Sequence, residues 1–154
     1  MKTILLFLIF SSVCFSQTAK DLIGSWQAAP HVAAGYDDTF TFNDDGTFYY
    51  FNNQMNCSKR EVGYGGEWEM IGKFVYLTIT YSDIEKGGWL EPSDGSCGSD
   101  SMLVGSTINK VLVFPYEQEV LKIANYKIET EDGADRFTME INNRKHWYSS
   151  KFEY

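Results

Sequence analysis

The connections between apolar segments alternate between short glycine-containing turns and long polar loops, and this alternation is the strongest constraint on the fold. The short turns are Asn43-Asp44-Asp45-Gly46, Ile71-Gly72-Lys73 and Glu131-Asp132-Gly133, and the long segments are residues 30–37, 53–64 and 82–119. In an antiparallel sheet whose strands follow one another, successive connections lie at opposite ends. The pattern therefore predicts an up-and-down β-barrel with one plain end and one open end with long loops.

Apolar and polar residues alternate with a period of two through most of the chain, whereas no long segment has helical periodicity. Phe40 and Phe42 alternate with threonines in this way. Such segments are typical of half-buried antiparallel strands. We predict eight strands, at residues 23–29, 38–43, 47–52, 65–70, 74–81, 120–130, 135–142 and 146–152. Residues 82–119 then form an insertion between the fifth and sixth strands.

Two apolar runs inside the 82–119 insertion leave alternatives open. Met102-Leu103-Val104 and Val111-Leu112-Val113-Phe114 could pair as a small hairpin that turns near residues 107–110. Alternatively, the second run is a ninth strand that completes a sandwich or a larger barrel. An odd number of up-and-down strands would place the first and last in parallel, whereas eight strands close without an unpaired edge. The sequence therefore favours an all-β, eight-stranded antiparallel barrel.

One face of each predicted strand is rich in aromatic and large apolar side chains. The predicted inward-facing set is Trp26, Phe40, Phe42, Phe48, Tyr50, Trp68, Met70, Val75, Leu77, Ile79, Phe137, Met139, Ile141 and Trp147. Eight strands enclose a space that is either filled by side chains or holds one small ligand. Both interpretations fit this list, because aromatic residues at strand spacing can form a packed core or line a binding site.

The first sixteen residues have the features of a signal peptide. Lys2 precedes an apolar run at residues 4–10, and small residues lead to a cleavage site after Ser16. The run is too short for a membrane-spanning helix, which needs about 20 residues. Lipidation at Cys14 is an alternative, but the residues before it do not match a Leu-x-small-Cys pattern. We therefore expect an exported domain at residues 17–154, periplasmic or secreted, without a transmembrane segment.

Composition excludes several classes of function. A formal net charge of −8 at pH 7 argues against nucleic-acid binding, which requires a basic surface. The two histidines, His31 and His146, accompany no Gly-x-Ser-x-Gly elbow and no zinc-ligand spacing. The acidic residues near the long loops are Asp37, Asp38, Asp83, Glu85, Asp94 and Asp100, which lack the spacing of a calcium loop. We therefore expect a non-catalytic protein with no cofactor and no metal.

Removal of the signal peptide would leave two cysteines, Cys57 and Cys97. Two thiols in an oxidising compartment usually pair. Both lie in long connections that the strand order places at the same end of the barrel. We predict a Cys57–Cys97 disulfide that holds these loops together.

Four segments of the sequence resemble a known family. Leu22-Ile23-Gly24-Ser25-Trp26 resembles the Gly-x-Trp signature of the lipocalin, or calycin, superfamily. Residues 39–48, 66–70 and 75–80 resemble the repeating pattern of small bacterial lipocalin-like domains. The Thr-Asp-Tyr motif of better-known members has no counterpart, and residues 82–119 lie outside the small-domain pattern.

The resemblance implies an eight-stranded lipocalin-like barrel that binds a small molecule. Gly24 and Trp26 would then be structural residues at the closed end, and Lys151 of the last strand would pack across the indole ring. Candidate ligand-binding residues are Tyr50, Trp68, Met70, Leu77, Ile79, Phe137 and Met139 in the interior, with Tyr36, Trp89 and Leu90 at the rim. Trp89 either plugs the mouth or contacts the ligand.

The leading hypothesis is an exported, non-catalytic protein that binds a small apolar or amphipathic molecule. The alternative is a filled barrel whose loops recognise another protein, such as a protease or an envelope component. A cavity of ~300 Å³ or more inside the barrel would favour a ligand carrier, whereas a filled interior would favour recognition through the loops.

Overall fold

The computed structural model describes residues 18–28, 37–53, 55–95, 97–131 and 133–149. The proposed signal peptide, Cys14, Tyr36 and Lys151 therefore lie outside the described residues. A four-residue helix, α1 (Ala19–Leu22), precedes eight strands. The strands are β1 (Gly24–Gln27), β2 (Thr39–Phe42), β3 (Thr47–Phe51), β4 (Glu61–Ile71), β5 (Phe74–Pro92), β6 (Ser101–Glu131), β7 (Ala134–Ile141) and β8 (Arg144–Ser149).

All eight strands belong to one antiparallel sheet that closes into a ring. Each strand pairs with its successor, and β8 pairs with β1 so that Trp26 lies opposite Tyr148. The prediction of an all-β chain with eight antiparallel strands is confirmed. We call the end with the β2–β3, β4–β5 and β6–β7 connections the closed end, and the opposite end the mouth.

The turn between β2 and β3 forms as its sequence predicts. The Asp45 carboxylate accepts hydrogen bonds from the Thr47 backbone N–H at 2.9 Å and from the Thr47 hydroxyl at 2.6 Å. Gly46 has a φ of 82°, which a residue without a Cβ adopts readily. The Trp68 N–H donates to the Gly46 carbonyl oxygen at 2.8 Å and so joins this turn to β4.

β5 and β6 continue far beyond the ring, so residues 82–92 and 101–119 of the predicted insertion are strand. Residues 81–92 pair with residues 101–112 as a two-stranded extension, which we call the ribbon. The predicted small hairpin is wrong, because Met102, Leu103 and Val104 lie opposite Glu91, Leu90 and Trp89. The sequence did not predict the outer part of β5 as a strand, because it is rich in charged residues and glycines. A two-stranded ribbon in contact with solvent need not show apolar alternation.

Apolar side chains fill most of the depth of the ring. The core cluster consists of Leu22, Trp26, Phe40, Phe42, Phe48, Val75, Leu77, Ile79, Leu121, Ile123, Met139 and Ile141. One prediction of an inward-facing residue is wrong, because His146, opposite Met139, is buried instead of its neighbour Trp147. Phe137 shares a face of β7 with Met139, but it is 42% exposed because it lies near the end of the strand, where Tyr126 and Tyr148 cover only part of its ring.

The packing around β1 explains the spacing of Gly24 and Trp26. Gly24 has a φ of 127°, and a Cβ atom there would lie 2.4 Å from the Tyr148 ring. Trp26 is fully buried, and its Nε1 donates to the Leu22 carbonyl oxygen at 2.8 Å. The edges of Tyr148 and Tyr126 pack against the indole, with ring centroids 5.3 and 6.0 Å away. These contacts fix the helix, the first strand and the last strand relative to one another.

Candidate functional site

Two cavities lie near the mouth, on opposite faces of the ring wall. The inner cavity, of about 270 Å³, is lined by inward-facing residues that include Phe40, Tyr50 and Leu121. The ribbon pocket, of about 500 Å³, lies between the outer wall, the loop at residues 52–60 and the ribbon. Tyr50 lines the first and Phe51 the second. Adjacent residues reach different cavities because successive side chains of a strand point to opposite faces.

Aromatic rings and one carboxylate form a wall of the inner cavity. The rings of Phe40, Tyr50 and Tyr64 follow one another, with centroid separations of 4.7 and 4.8 Å. The Tyr64 hydroxyl donates to Glu119 Oε2 at 2.9 Å. Burial and the neighbouring Glu119 carboxylate raise the pKa of Tyr64 well above its usual range. The Tyr64 hydroxyl therefore stays a donor, and Glu119 remains an acceptor at the cavity surface.

An ion-pair cluster forms the rim of the inner cavity. Arg144 donates to Asp38 Oδ2 at 2.8 Å and to Asp37 Oδ1 at 3.0 Å. Asn53 donates to Asp38 from its backbone at 3.0 Å and from its side chain at 3.2 Å. Burial alone would raise the pKa of Asp38, but the hydrogen bonds from Asn53 and Arg144 hold it below its usual value. Asp38 is therefore ionised at neutral pH and is already paired.

His146 is the most buried polar residue of this cavity, with only 3% of its surface exposed. Its Nδ1 lies 2.8 Å from the Arg144 carbonyl oxygen, which can only accept a hydrogen bond. Burial lowers the pKa of the imidazole, and the Arg144 carbonyl only partly opposes this effect. In the neutral ring Nδ1 therefore carries the proton and Nε2 carries a lone pair. Among the described residues, Nε2 has no hydrogen-bond partner.

The ribbon pocket has apolar walls with polar groups at one side. The apolar lining residues are Phe51, Val62, Met102, Leu103 and Ile108, and the polar ones are Asn52, Asn53, Asn56, Lys59, Glu61 and Glu85. Asn52 organises the polar side, because its amide nitrogen donates to the Glu61 carboxylate at 3.1 Å while its oxygen accepts from Lys59 Nζ at 2.7 Å. The pocket thus presents an apolar surface next to fixed charges of both signs.

The ribbon is fastened to the loop at residues 52–60 by covalent and backbone contacts. Cys57 and Cys97 form the predicted disulfide, with their Cα atoms 5.9 Å apart. The Leu103 N–H donates to the Cys57 carbonyl oxygen at 2.9 Å. Arg60 donates to the carbonyl oxygens of Glu85 and Gly87 at 3.1 and 2.9 Å. The two walls of the ribbon pocket are therefore held together without help from a ligand.

The predicted ligand-binding residues do not form one site. Tyr50 lines the inner cavity, whereas Leu77, Ile79 and Met139 belong to the core cluster and Trp68 and Met70 pack against it. Phe137 lies toward the closed end. Leu90 and Trp89 are exposed on the ribbon and line neither cavity, and Trp89 is 58% exposed, so it does not plug the mouth.

Sequence reasoning missed most of the residues that line the two cavities. Glu119, His146 and Arg144 looked like isolated polar residues, because only the ring closure brings them together. The ribbon pocket had a weak signal in the sequence. A disulfide between Cys57 and Cys97 places the residues on either side of Cys57 next to the segment that contains Met102 and Leu103.

Comparisons with protein-family models, curated proteins and solved structures gave no match for this chain. Within the described ranges, no group of three or more His, Cys, Asp and Glu side chains is arranged to hold a metal ion. The helical part of the described chain contains no segment with the length and apolar character needed to cross a bilayer. Function must therefore be argued from the cavities and the surface of the protein.

Proposed function

We propose that this chain is an exported, non-catalytic binding protein with a lipocalin-like barrel, and that its ribbon pocket binds a small apolar or amphipathic molecule. The observation that carries the proposal is the pocket of about 500 Å³ outside the ring. Small-molecule sites usually enclose about 300 to 1,000 Å³ and combine apolar walls with a few fixed polar groups. The inner cavity is smaller, and it is surrounded by charged and hydroxyl groups that suit an apolar ligand poorly.

The lining of the ribbon pocket suits an amphipathic ligand. Met102, Leu103 and Ile108 offer flexible and branched apolar surface along one wall. The side chains of Asn52, Lys59 and Glu61 are linked to one another at the other side. A ligand with an apolar body and one polar group would bury its body against the ribbon and place its polar group near this linked set.

The remaining parts of the proposal rest on the disulfide and on the strand order. Cys57 and Cys97 are bonded, as is usual for proteins in an oxidising compartment such as the periplasm or the extracellular medium. Consecutive antiparallel pairing and the β1–β8 closure are the features expected of a small up-and-down barrel. The Gly24 and Trp26 contacts fit the structural role that the lipocalin resemblance implies for them.

The decisive experiment is a titration of the mature domain with lauric acid and with an anilinonaphthalene sulfonate dye. Ile108 lines the pocket and is 61% exposed, so Ile108→Arg should place a charge in the site without disturbing the core. We expect about a tenfold loss of affinity, because about 1.4 kcal/mol of apolar contact would be lost. Leu112→Arg is the matched control, since Leu112 is on the same strand, is 79% exposed and lies outside the pocket. Absence of saturable binding, or equal effects of both variants, would refute the proposal.

A second candidate function is recognition of another protein by the exposed apolar residues of β6 at the base of the ribbon. The packed ring interior and the exposed apolar residues Leu112, Phe114 and Tyr116 favour it. The test is inhibition of a panel of serine and cysteine proteases by the mature domain. Inhibition that is lost in Phe114→Ser and kept in Ile108→Arg would assign function to this surface instead of the pocket.

A further inference from the structure

The inner cavity has a chemistry distinct from that of the ribbon pocket. Its charged groups are Glu119, Asp38 and Arg144, and Arg144 is also paired with Asp37. Three carboxylates against one guanidinium leave two net negative formal charges. The guanidinium is already engaged by both aspartates at the rim, so it is poorly placed to attract an anion. The field inside the cavity therefore favours a positively charged guest.

The cavity also contains two acceptor atoms that have no hydrogen-bond partner among the described residues. Glu119 Oε2 accepts from the Tyr64 hydroxyl, and Oε1 has no hydrogen-bond partner among the described residues. His146 is 97% buried by surface and offers the Nε2 lone pair to the cavity, again without a partner in the described chain. A guest with N–H donors would find an acceptor in each of these two side chains.

The aromatic wall adds a third attraction for a cation. Phe40, Tyr50 and Tyr64 present a continuous series of rings beside Glu119. A cation within about 6 Å of an aromatic ring centre is stabilised by the electron density of the ring face, and the effect grows where water is excluded. Carboxylate, lone pair and ring faces together match a protonated amine attached to a small organic body.

We propose that the inner cavity binds a small organic ammonium ion through Glu119, His146 Nε2 and the rings of Tyr50 and Tyr64. The ammonium group donates to the Glu119 carboxylate and to Nε2, and the organic part lies against the rings above the core. The cavity volume of about 270 Å³ limits the guest to a compact amine. This site is distinct from the ribbon pocket, because the two share no lining residue, although the hydrogen bonds of Asn53 with Asp38 link them.

The test uses three compounds of similar shape and different charge, namely benzylammonium, benzyl alcohol and benzoate. Calorimetry at pH 7.5 on the mature protein should show millimolar or tighter binding of benzylammonium, with benzyl alcohol at least tenfold weaker and benzoate silent. Tenfold corresponds to the loss of about one charge-assisted hydrogen bond. Equal binding of alcohol and amine would show a neutral polar site, and no binding of the amine would show no site; either result overturns the proposal.

Variants locate the binding. Glu119→Gln removes the charge and keeps the shape, so we expect at least a tenfold loss of benzylammonium affinity. Glu69→Gln is the matched control, because Glu69 is exposed on the outer face of β4. Tyr64→Phe tests the same site without changing charge, and circular dichroism confirms folding of each variant. Unchanged affinity in Glu119→Gln, or an equal loss in Ile108→Arg at the ribbon pocket, would contradict the assignment.

Discussion

The closed half of the ring and the ribbon are both built from antiparallel strands, but they are stabilised in different ways. Between the closed end and the inner cavity, side chains from β1, β2, β3, β5, β6 and β7 pack into one apolar cluster, and residues of β4 pack against it. The ribbon has no such cluster and is held by backbone pairing, the Cys57–Cys97 disulfide and side-chain contacts along its edge. The first region gains stability from burial, whereas the second gains shape from cross-links.

Each of the two regions contains a tryptophan, and the surroundings of the two side chains differ. Trp26 is fully buried and bonded to Leu22, whereas Trp89 is exposed on the ribbon with its Nε1 bonded to Glu91. The same side chain should therefore matter greatly in one region and little in the other.

Trp26→Ala should cause the largest loss of stability. Removing a buried tryptophan opens a cavity, costs about 3 to 5 kcal/mol of unfolding free energy and leaves the Leu22 carbonyl oxygen without its donor. Urea denaturation followed by circular dichroism measures this change. Trp26→Phe is the control and should lose less, because it keeps much of the apolar volume. A cost below about 1 kcal/mol for Trp26→Ala would contradict the importance of the closed half.

The double variant Cys57→Ser, Cys97→Ser should have the next largest effect on stability and a specific effect on binding. The two residues are 40 apart in the sequence, so the disulfide stabilises by up to about 4 kcal/mol in the loop-entropy account. Because the disulfide joins the two walls of the ribbon pocket, affinity for lauric acid should fall as well. Binding of benzylammonium in the inner cavity should persist. Retention of full lauric acid affinity would show that the ribbon holds its position without the cross-link.

The difference in burial between the ring and the ribbon also explains which strands could be predicted from the sequence. Strands of the ring, such as β2 with Phe40 and Phe42, bury one face and therefore show a period of two. The turn at Asp45 and Gly46 has a local chemistry that is independent of the rest of the fold. The outer part of β5 lacks both signals, since neither face of the ribbon packs into the core. Its pairing depends on residues of β6 that are about 20 positions away, at Lys86 and Thr107 for example.

The candidate sites were harder to predict than the fold for a related reason. Each cavity is lined by a few residues from each of several strands. If a residue is assigned to the wrong face of its strand, it is missing from the predicted site. The sequence of β8 allowed either His146 or Trp147 to face inward, because both neighbours are large and ring-shaped. The choice of Trp147 was wrong, and the sequence therefore did not predict His146, the one histidine among the described residues that line the inner cavity. The disulfide was predictable because it depends on cysteine count and compartment instead of parity.

His146 should give the mouth a pH dependence that the ribbon lacks. Burial lowers the pKa of His146 below its ordinary value of 6.5, so the unfolded chain takes up this proton more readily than the folded one. Stability is then fully present above about pH 6.5 and falls as the pH drops toward the folded pKa. The described charged or titratable groups near the His146 imidazole are Asp37, Asp38, Tyr50, Tyr64, Glu119 and Arg144. Histidine is the side chain whose ordinary pKa lies between pH 5 and 8, and none of these described neighbours ordinarily titrates in that interval.

The corresponding measurement is the urea midpoint at pH 5, 6.5 and 7.5 for the unsubstituted chain and for His146→Gln. We expect the midpoint of the unsubstituted chain to fall between pH 6.5 and 5 and that of the variant to stay nearly constant over this interval. Glutamine keeps a polar side chain at the position and has no titrating proton. The same slope in both proteins would assign the pH dependence to other groups.

Trp89→Ala should have the smallest effect and completes the comparison with Trp26→Ala. The Trp89 ring packs against Gly105 on the neighbouring strand but covers no core residue, and its Nε1 bond to Glu91 is exposed. Surface substitutions of this kind usually change unfolding free energy by less than about 0.5 kcal/mol. Trp89 lines neither cavity, so lauric acid and benzylammonium affinities should both stay unchanged. A loss of stability close to that of Trp26→Ala would mean that the ribbon carries packing energy of its own, and the division between a buried ring and a cross-linked ribbon would then fail.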